Sequence, residues 1–204
     1  IIRLGDTVAC FEAYFDHPIE KQDDFCGVSA PFRQLCRQVD LIAEKPLSVL
    51  IIGETGSGKD VTARAIHLAS AKAGQFVAVN MAAVPNQLME SALFGHRKGA
   101  FTGATSNRDG YFQSASQGTL FFDEIGELAL ELQPKLLRVL ENREYSPVGA
   151  MRTLKTDARI IAATNADIHA RIRDGSFRSD LYARLAGFVI RVPALRERRR
   201  DIPA

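Results

Sequence analysis

Short apolar runs punctuate this chain, and between them apolar positions recur at helical spacing. Ser48-Val49-Leu50-Ile51-Ile52 is almost continuously apolar, which predicts a central strand buried on both faces of a sheet. Similar runs predict strands at Phe76 to Val79, Thr119 to Phe122, Arg159 to Ala163 and Phe188 to Val192. Phe32, Leu35, Val39 and Ile42 form a helical stripe behind a start signal of Ser29 and Pro31. A further helix carries Val61, Ala65, Ile66 and Ala69, and the clearest runs from Glu131 to Leu140. Strands alternating with helices predict an α/β fold with a parallel sheet. The first 24 residues read as a linker segment: Val8, Phe11 and Phe15 have helical spacing, then Pro18 and the charged run from Glu20 to Asp24 break it.

Composition narrows the class without naming a chemistry. Over 204 residues, 46% apolar and 25% charged is an ordinary globular balance, which excludes disordered and collagen-like chains. A net charge of +2 gives no electrostatic case for nucleic acid. The basic cluster Arg196, Arg198, Arg199 and Arg200 reads as a solvated or inter-element surface rather than a DNA contact. Cys10, Cys26 and Cys36 have neither disulfide-framework number nor zinc spacing. With no apolar stretch of membrane length and no secretory pattern at the start, a soluble cytoplasmic protein is expected. The chain starts without methionine and stops at Asp201-Ile202-Pro203-Ala204, so it reads as a fragment.

Chemistry enters at the end of the central strand. Gly53-Glu54-Thr55-Gly56-Ser57-Gly58-Lys59 fits G-x-x-x-x-G-K and runs into a helix through Asp60 and Val61. Glycines at that spacing let successive backbone N–H groups turn toward a β-phosphate, and the lysine ammonium reaches the β- and γ-oxygens. Asp60 stands where general phosphate loops have the serine or threonine hydroxyl that holds magnesium. Asp123 and Glu124 close the strand Leu120-Phe121-Phe122, at the carboxyl edge where open α/β sheets bind ligands. That position suits Asp123 to a magnesium shell and Glu124 to orienting an attacking water. A different signal follows the loop by about forty residues. Gly99-Ala100-Phe101-Thr102-Gly103-Ala104 presents one large apolar side chain among small, flexible neighbours.

Leu93-Phe94-Gly95-His96-Arg97-Lys98 leading into that hexapeptide, and Gly118-Thr119-Leu120-Phe121-Phe122-Asp123-Glu124-Ile125-Gly126-Glu127, resemble the AAA+ ATPase domain of bacterial sigma-54-dependent transcription activators. The resemblance runs from about Phe25 to the end and implies a P-loop AAA+ core over residues 25–204, with the C-terminal helical lid missing. It implies an ATPase using ATP and magnesium, weak in this isolated fragment, that works as a ring, expected to be a hexamer. Its partner would be sigma-54 in the RNA polymerase holoenzyme, contacted by residues 99–104, with DNA bound through a domain outside this chain. An acidic residue at Asp60 fits this branch.

The resemblance also assigns roles that spacing alone leaves open. Asn165, after the strand Ile160 to Ala163, matches a sensor of the γ-phosphate, and Asn80 matches an asparagine that restrains the catalytic glutamate. Each also reads as an ordinary strand-end turn residue. Arg178 and Arg184 match arginine fingers reaching a neighbouring subunit's site. Six residues apart, they are rotated by roughly 240° on a regular helix, so at least one is expected at the helix entrance. Surface ion pairing with Asp174, Asp180 or Glu197 is the plain alternative. Tyr145 to Thr156 resembles a second loop that raises and lowers the hexapeptide. Arg97 and Gln113 stand where the family often has glutamate. A nucleotide-dependent scaffold without hydrolysis and a small-molecule kinase are the rival readings, and the kinase leaves the hexapeptide unexplained.

Overall fold

A computed structural model describes residues 2–4, 7–9 and 25–202. A five-stranded parallel sheet forms the centre, built from β3 (Val49–Ile52), β4 (Phe76–Asn80), β5 (Thr119–Asp123), β8 (Arg159–Thr164) and β9 (Phe188–Arg191), in the order β4-β5-β8-β3-β9. The five strands expected from apolar runs are these five, within a residue at each end. Two short antiparallel pairs lie outside the sheet: β1 (Ile2–Leu4) with β2 (Thr7–Ala9), and β6 (Glu144–Tyr145) with β7 (Leu154–Lys155). Val8 therefore sits in a strand rather than the expected helix, and the remainder of that expectation, through Phe15, lies outside the described residues.

Alternation along the strands divides the core in two. Leu50, Leu120, Phe122, Ile160 and Ala162 face the layer holding α3 (Asn86–Phe94), α4 (Tyr111–Ser114), α5 (Gln133–Asn142), α6 (Ile168–Arg173) and α7 (Ser179–Leu185). Val49, Ile51, Phe121, Ile161, Ala163 and Ile190 face α1 (Ala30–Ala43) and α2 (Lys59–Ala69). Burial of both faces explains why the runs are continuous rather than alternating. Ser29 caps α1 by accepting from the Phe32 N–H at 3.2 Å, as its sequence predicts. The α5 helix starts at Gln133 rather than Glu131, because Pro134 in its first turn fixes the entrance while Leu130 to Leu132 form a turn.

At the amino edge of the sheet lies Arg159, whose role no local pattern announces. Its guanidinium donates to the C-terminal carbonyls of α1, Ile42 at 2.6 Å and Ala43, and burial lowers its pKa from the ordinary arginine value. Arg159→Met should remove these bonds and strand two carbonyls, costing about 2–4 kcal/mol. A urea midpoint unchanged from the parent would contradict this role.

Candidate active site at the carboxyl edge of the sheet

Four strand ends deliver the candidate residues to one edge. The phosphate loop leaves β3, Asn80 ends β4, Asp123 ends β5, and Asn165 follows β8. Gly56 and Gly58 have φ of 75° and 93°, values that strain any residue with a Cβ, and Gly58 caps α2 in this left-handed form. Gly53 is equally constrained by space, since a Cβ there would lie 2.7 Å from the Ser57 hydroxyl oxygen. Lys59, buried at the first position of α2, donates to the Gly53 and Glu54 carbonyls at 3.2 and 3.3 Å. Its ammonium also lies 3.6 Å from the Glu124 carboxylate. The loop thus wraps a buried cation at the start of a helix, a cradle suited to phosphate.

Glu124 turns off the end of β5 with φ 52° and ψ 49°, a left-handed conformation that costs a non-glycine residue about 1–3 kcal/mol. The turn carries its carboxylate across the sheet edge, where the Asn165 N–H donates to it at 3.2 Å. The Asn165 carboxamide in turn donates to the Thr55 hydroxyl at 2.8 Å. Asn165 therefore bridges the phosphate loop and Glu124 directly.

Asn80, matched by resemblance to a restraint on the catalytic glutamate, contacts Asp123 in the lone chain. Its carboxamide nitrogen reaches Asp123 at 3.4 Å, and its oxygen accepts from the Ala82 N–H. Strand register is the cause: Asn80 pairs directly with Asp123 across β4 and β5, while Glu124 has already left the strand.

Burial, and then the Glu124 charge, push the Asp123 carboxyl above the usual carboxylate range, with Asp60 adding to the shift and Lys59 opposing it. A cation would relieve that crowding of negative charge. Among the described residues no group of three His, Cys, Asp or Glu is placed to hold a metal by itself. Magnesium commonly takes one or two carboxylates and completes its shell with phosphate and water, and Asp123 fits that requirement.

Arg178 and Arg184 do not join this cluster. Arg178 is the residue before α7, as the spacing argument required of one of the pair, and it forks onto Asp180 at 3.0 and 2.7 Å. Arg184, on the exposed side of α7, donates to Glu141 at 3.1 Å. Both are therefore engaged in surface ion pairs in the lone chain, which are worth little energetically and exchange readily.

The hexapeptide also stands apart from the phosphate loop. Gly99 donates to Ala104 at 2.8 Å and Ala104 to Phe101 at 3.0 Å, closing a tight loop with Phe101 at its tip, 41% exposed and edge-on to the His96 ring. Gly99 and Gly103, at φ of 82° and 99°, provide the turns. The second loop braces the first: Val148 and His96 form a parallel bridge, and a Cβ on Gly149 would lie 2.7 Å from that of Ala100. Arg97 takes part through its backbone, donating to the Val148 carbonyl at 3.0 Å. Gln113 accepts from the Tyr145 hydroxyl at 3.0 Å at the base of the second loop.

The basic cluster belongs partly to the site, which the sequence did not reveal. Arg196 forks onto the Glu54 carboxylate, and Arg198 donates to the Ser57 carbonyl at 2.6 Å. Both come from a terminal 3-10 segment, Leu195–Asp201. Its inter-element character was legible; its target, a loop some 140 residues earlier, was not.

Comparison with known proteins agrees with this geometry. Residues 25–191 match the sigma-54 interaction domain. The chain is 51% identical over 183 residues to the anaerobic nitric oxide reductase transcription regulator NorR of Klebsiella pneumoniae, covering 89% of this chain and 36% of that protein. It is 49% identical over 202 residues to the formate hydrogenlyase transcriptional activator of Salmonella typhimurium, covering 98% and 29%. NtrX of Brucella abortus, solved in complex with ATP, superposes with a TM-score of 0.80 at 37% identity, covering 87% of this chain and 38% of that one. The chain thus spans well under half the length of these relatives. A phosphate loop and two strand-end carboxylates on a parallel sheet, an exposed hexapeptide braced by a second loop, and a match across most of the chain lead to one assignment: this chain belongs to the sigma-54 interaction domain family, the AAA+ P-loop domain of sigma-54-dependent transcription activators.

Proposed function

We propose that this chain is an ATP-hydrolysing motor which, as part of a longer activator in the bacterial cytoplasm, remodels the closed complex of sigma-54 RNA polymerase so that promoter DNA opens. The observation that carries the proposal is the separation of two built features: a phosphate cradle with Lys59, Asp123 and Glu124, and a braced loop presenting Phe101 elsewhere. Binding and hydrolysis use the first; force on sigma-54 uses the second.

Lys59 holds the β- and γ-oxygens of ATP, exchanging its bonds to the Gly53 and Glu54 carbonyls for phosphate. Asp123 would hold a magnesium ion bound with the nucleotide, which would supply positive charge against the phosphates. Glu124 orients the attacking water and accepts its proton, fixed from one side by the Asn165 N–H. Asn165 senses the γ-phosphate, because a phosphate oxygen competes with Thr55 for its carboxamide. Arg178 and Arg184 act on the site of the next subunit in a ring, expected to be a hexamer, after leaving Asp180 and Glu141. Sequence-specific DNA contact comes from a domain outside this chain.

Phe101→Ala and Thr102→Ala test the division of labour in the full-length activator. Each should retain ATP turnover within about twofold of the parent while losing most sigma-54-dependent promoter opening, since neither side chain approaches the phosphates. Promoter opening at the parent level by both variants would remove the loop from the account; parallel loss of ATPase would contradict the separation.

A further inference from the structure

A phosphate loop that turns successive N–H groups toward a nucleotide leaves other carbonyls turned away from it, and these need donors of their own. The Gly53 and Glu54 carbonyls meet the Lys59 ammonium inside the cradle. The Ser57 carbonyl, on a residue only 3% exposed, has Arg198 at 2.6 Å. Neighbouring Arg196 neutralises Glu54, whose pKa is lowered chiefly by that hydrogen bond. Two buried polar atoms at this junction, Ser57 Oγ and Arg198 Nε, have no partner. Such unmet demand in a native fold calls for an explanation other than stability.

The same segment is anchored at its far end. Asp201 accepts from the Val28 and Ser29 N–H groups and from the Ser29 hydroxyl, each at 2.7 Å. Contact there is close, because a Cβ on Gly27 would lie 2.8 Å from the Asp201 carboxyl carbon. At the loop-side anchor Arg198 itself leaves helical geometry, with φ −130° and ψ 44°. Seven residues thus tie the phosphate loop to the start of α1, where the chain arrives from residues 1–24.

The geometry points to Arg198 as a positioning residue for the phosphate loop, and to Leu195–Asp201 as a strap that makes this positioning depend on the Asp201 anchor at the domain's amino-terminal entrance. The inference rests on the nucleotide-binding reading above for its consequence, but the positioning itself is a property of the nucleotide-free protein. Arg198 sets how ready the cradle is, and whatever displaces residues 27–29 changes the cradle through Asp201. ATP affinity is then open to control from upstream without any upstream residue touching nucleotide.

The test compares the full-length protein with Arg198→Ala, Arg198→Lys and Asp201→Ala by two readouts. One is amide hydrogen exchange of residues 55–60 without nucleotide; the other is binding of a non-hydrolysable ATP analogue, alongside KM and kcat. Arg198→Ala should speed exchange and weaken analogue binding, each about tenfold, the scale of one charge-assisted hydrogen bond. KM should rise with kcat held within about twofold, and Arg198→Lys, which still donates to a carbonyl, should recover most of the loss. Asp201→Ala, remote from the cradle, should move both readouts in the same direction by about threefold. Parent-like exchange in Arg198→Ala overturns the positioning role, and parent-like behaviour of Asp201→Ala overturns the strap. Should Arg198→Ala fail to fold, the lysine and Asp201 variants decide alone. Altered exchange in a protein that binds no analogue even as the parent would uphold the positioning and sink the nucleotide reading instead.

Discussion

Glu124→Ala will leave ATP bound and bring its hydrolysis nearly to a halt, with kcat falling by about 10²–10⁴-fold, the contribution of a well-placed general base. The carboxylate's partners are the Lys59 ammonium at 3.6 Å and the Asn165 N–H at 3.2 Å, both within the site and neither in the hydrophobic core. Its removal should therefore spare the fold. Lys59→Ala gives the complementary result: the phosphates lose their principal counter-ion, and binding itself disappears. Measured side by side with a non-hydrolysable analogue and by phosphate release, the two variants separate binding from chemistry. Parent-rate turnover by Glu124→Ala would remove it from water activation and leave the carboxylate pair without a division of labour.

Arg184→Ala is expected to be as severe, and Arg178→Ala similar, with losses on the order of 10³-fold or more if the guanidinium meets charge developing on the γ-phosphoryl. Binding of the analogue should persist, because neither side chain contacts the phosphate loop of its own chain. The decisive arrangement is a mixture. Arg184→Ala offers an intact cradle and no finger, whereas Lys59→Ala offers a finger and no cradle, so a mixed ring contains some complete sites. Recovery of activity on co-assembly means that the arginine acts across an interface. Persistent inactivity of rings shown to contain both variants would confine Arg184 to its ion pair with Glu141.

How much of this was legible in the sequence follows from what each feature depends on. The cradle was, because glycine at left-handed φ and a lysine at the following helix start are local requirements written in seven adjacent residues. The five strands were, because burial on both faces leaves an apolar run that no solvent-facing strand has. Partnerships set by register or by distant chain were not. Asn80 meets Asp123 because β4 and β5 align those two residues, a relation invisible without the pairing. Arg198 meets Ser57 across 141 positions, and Arg184 meets Glu141 across 43. A charge cluster in sequence reveals only that some neutralising or solvated surface exists; the fold decides whether it faces water or a phosphate loop. Arg159 makes the same point at the other edge, where a strand's first residue caps a helix that ended 116 positions earlier.

In the proposed motor one chain carries an incomplete hydrolytic site which a neighbour completes. Phosphate release per chain, measured at saturating ATP and magnesium across a wide range of protein concentration, probes this dependence. The rate per chain should be near zero when dilute and climb steeply as chains associate. A rate per chain that is the same at the lowest and highest concentrations would contradict it.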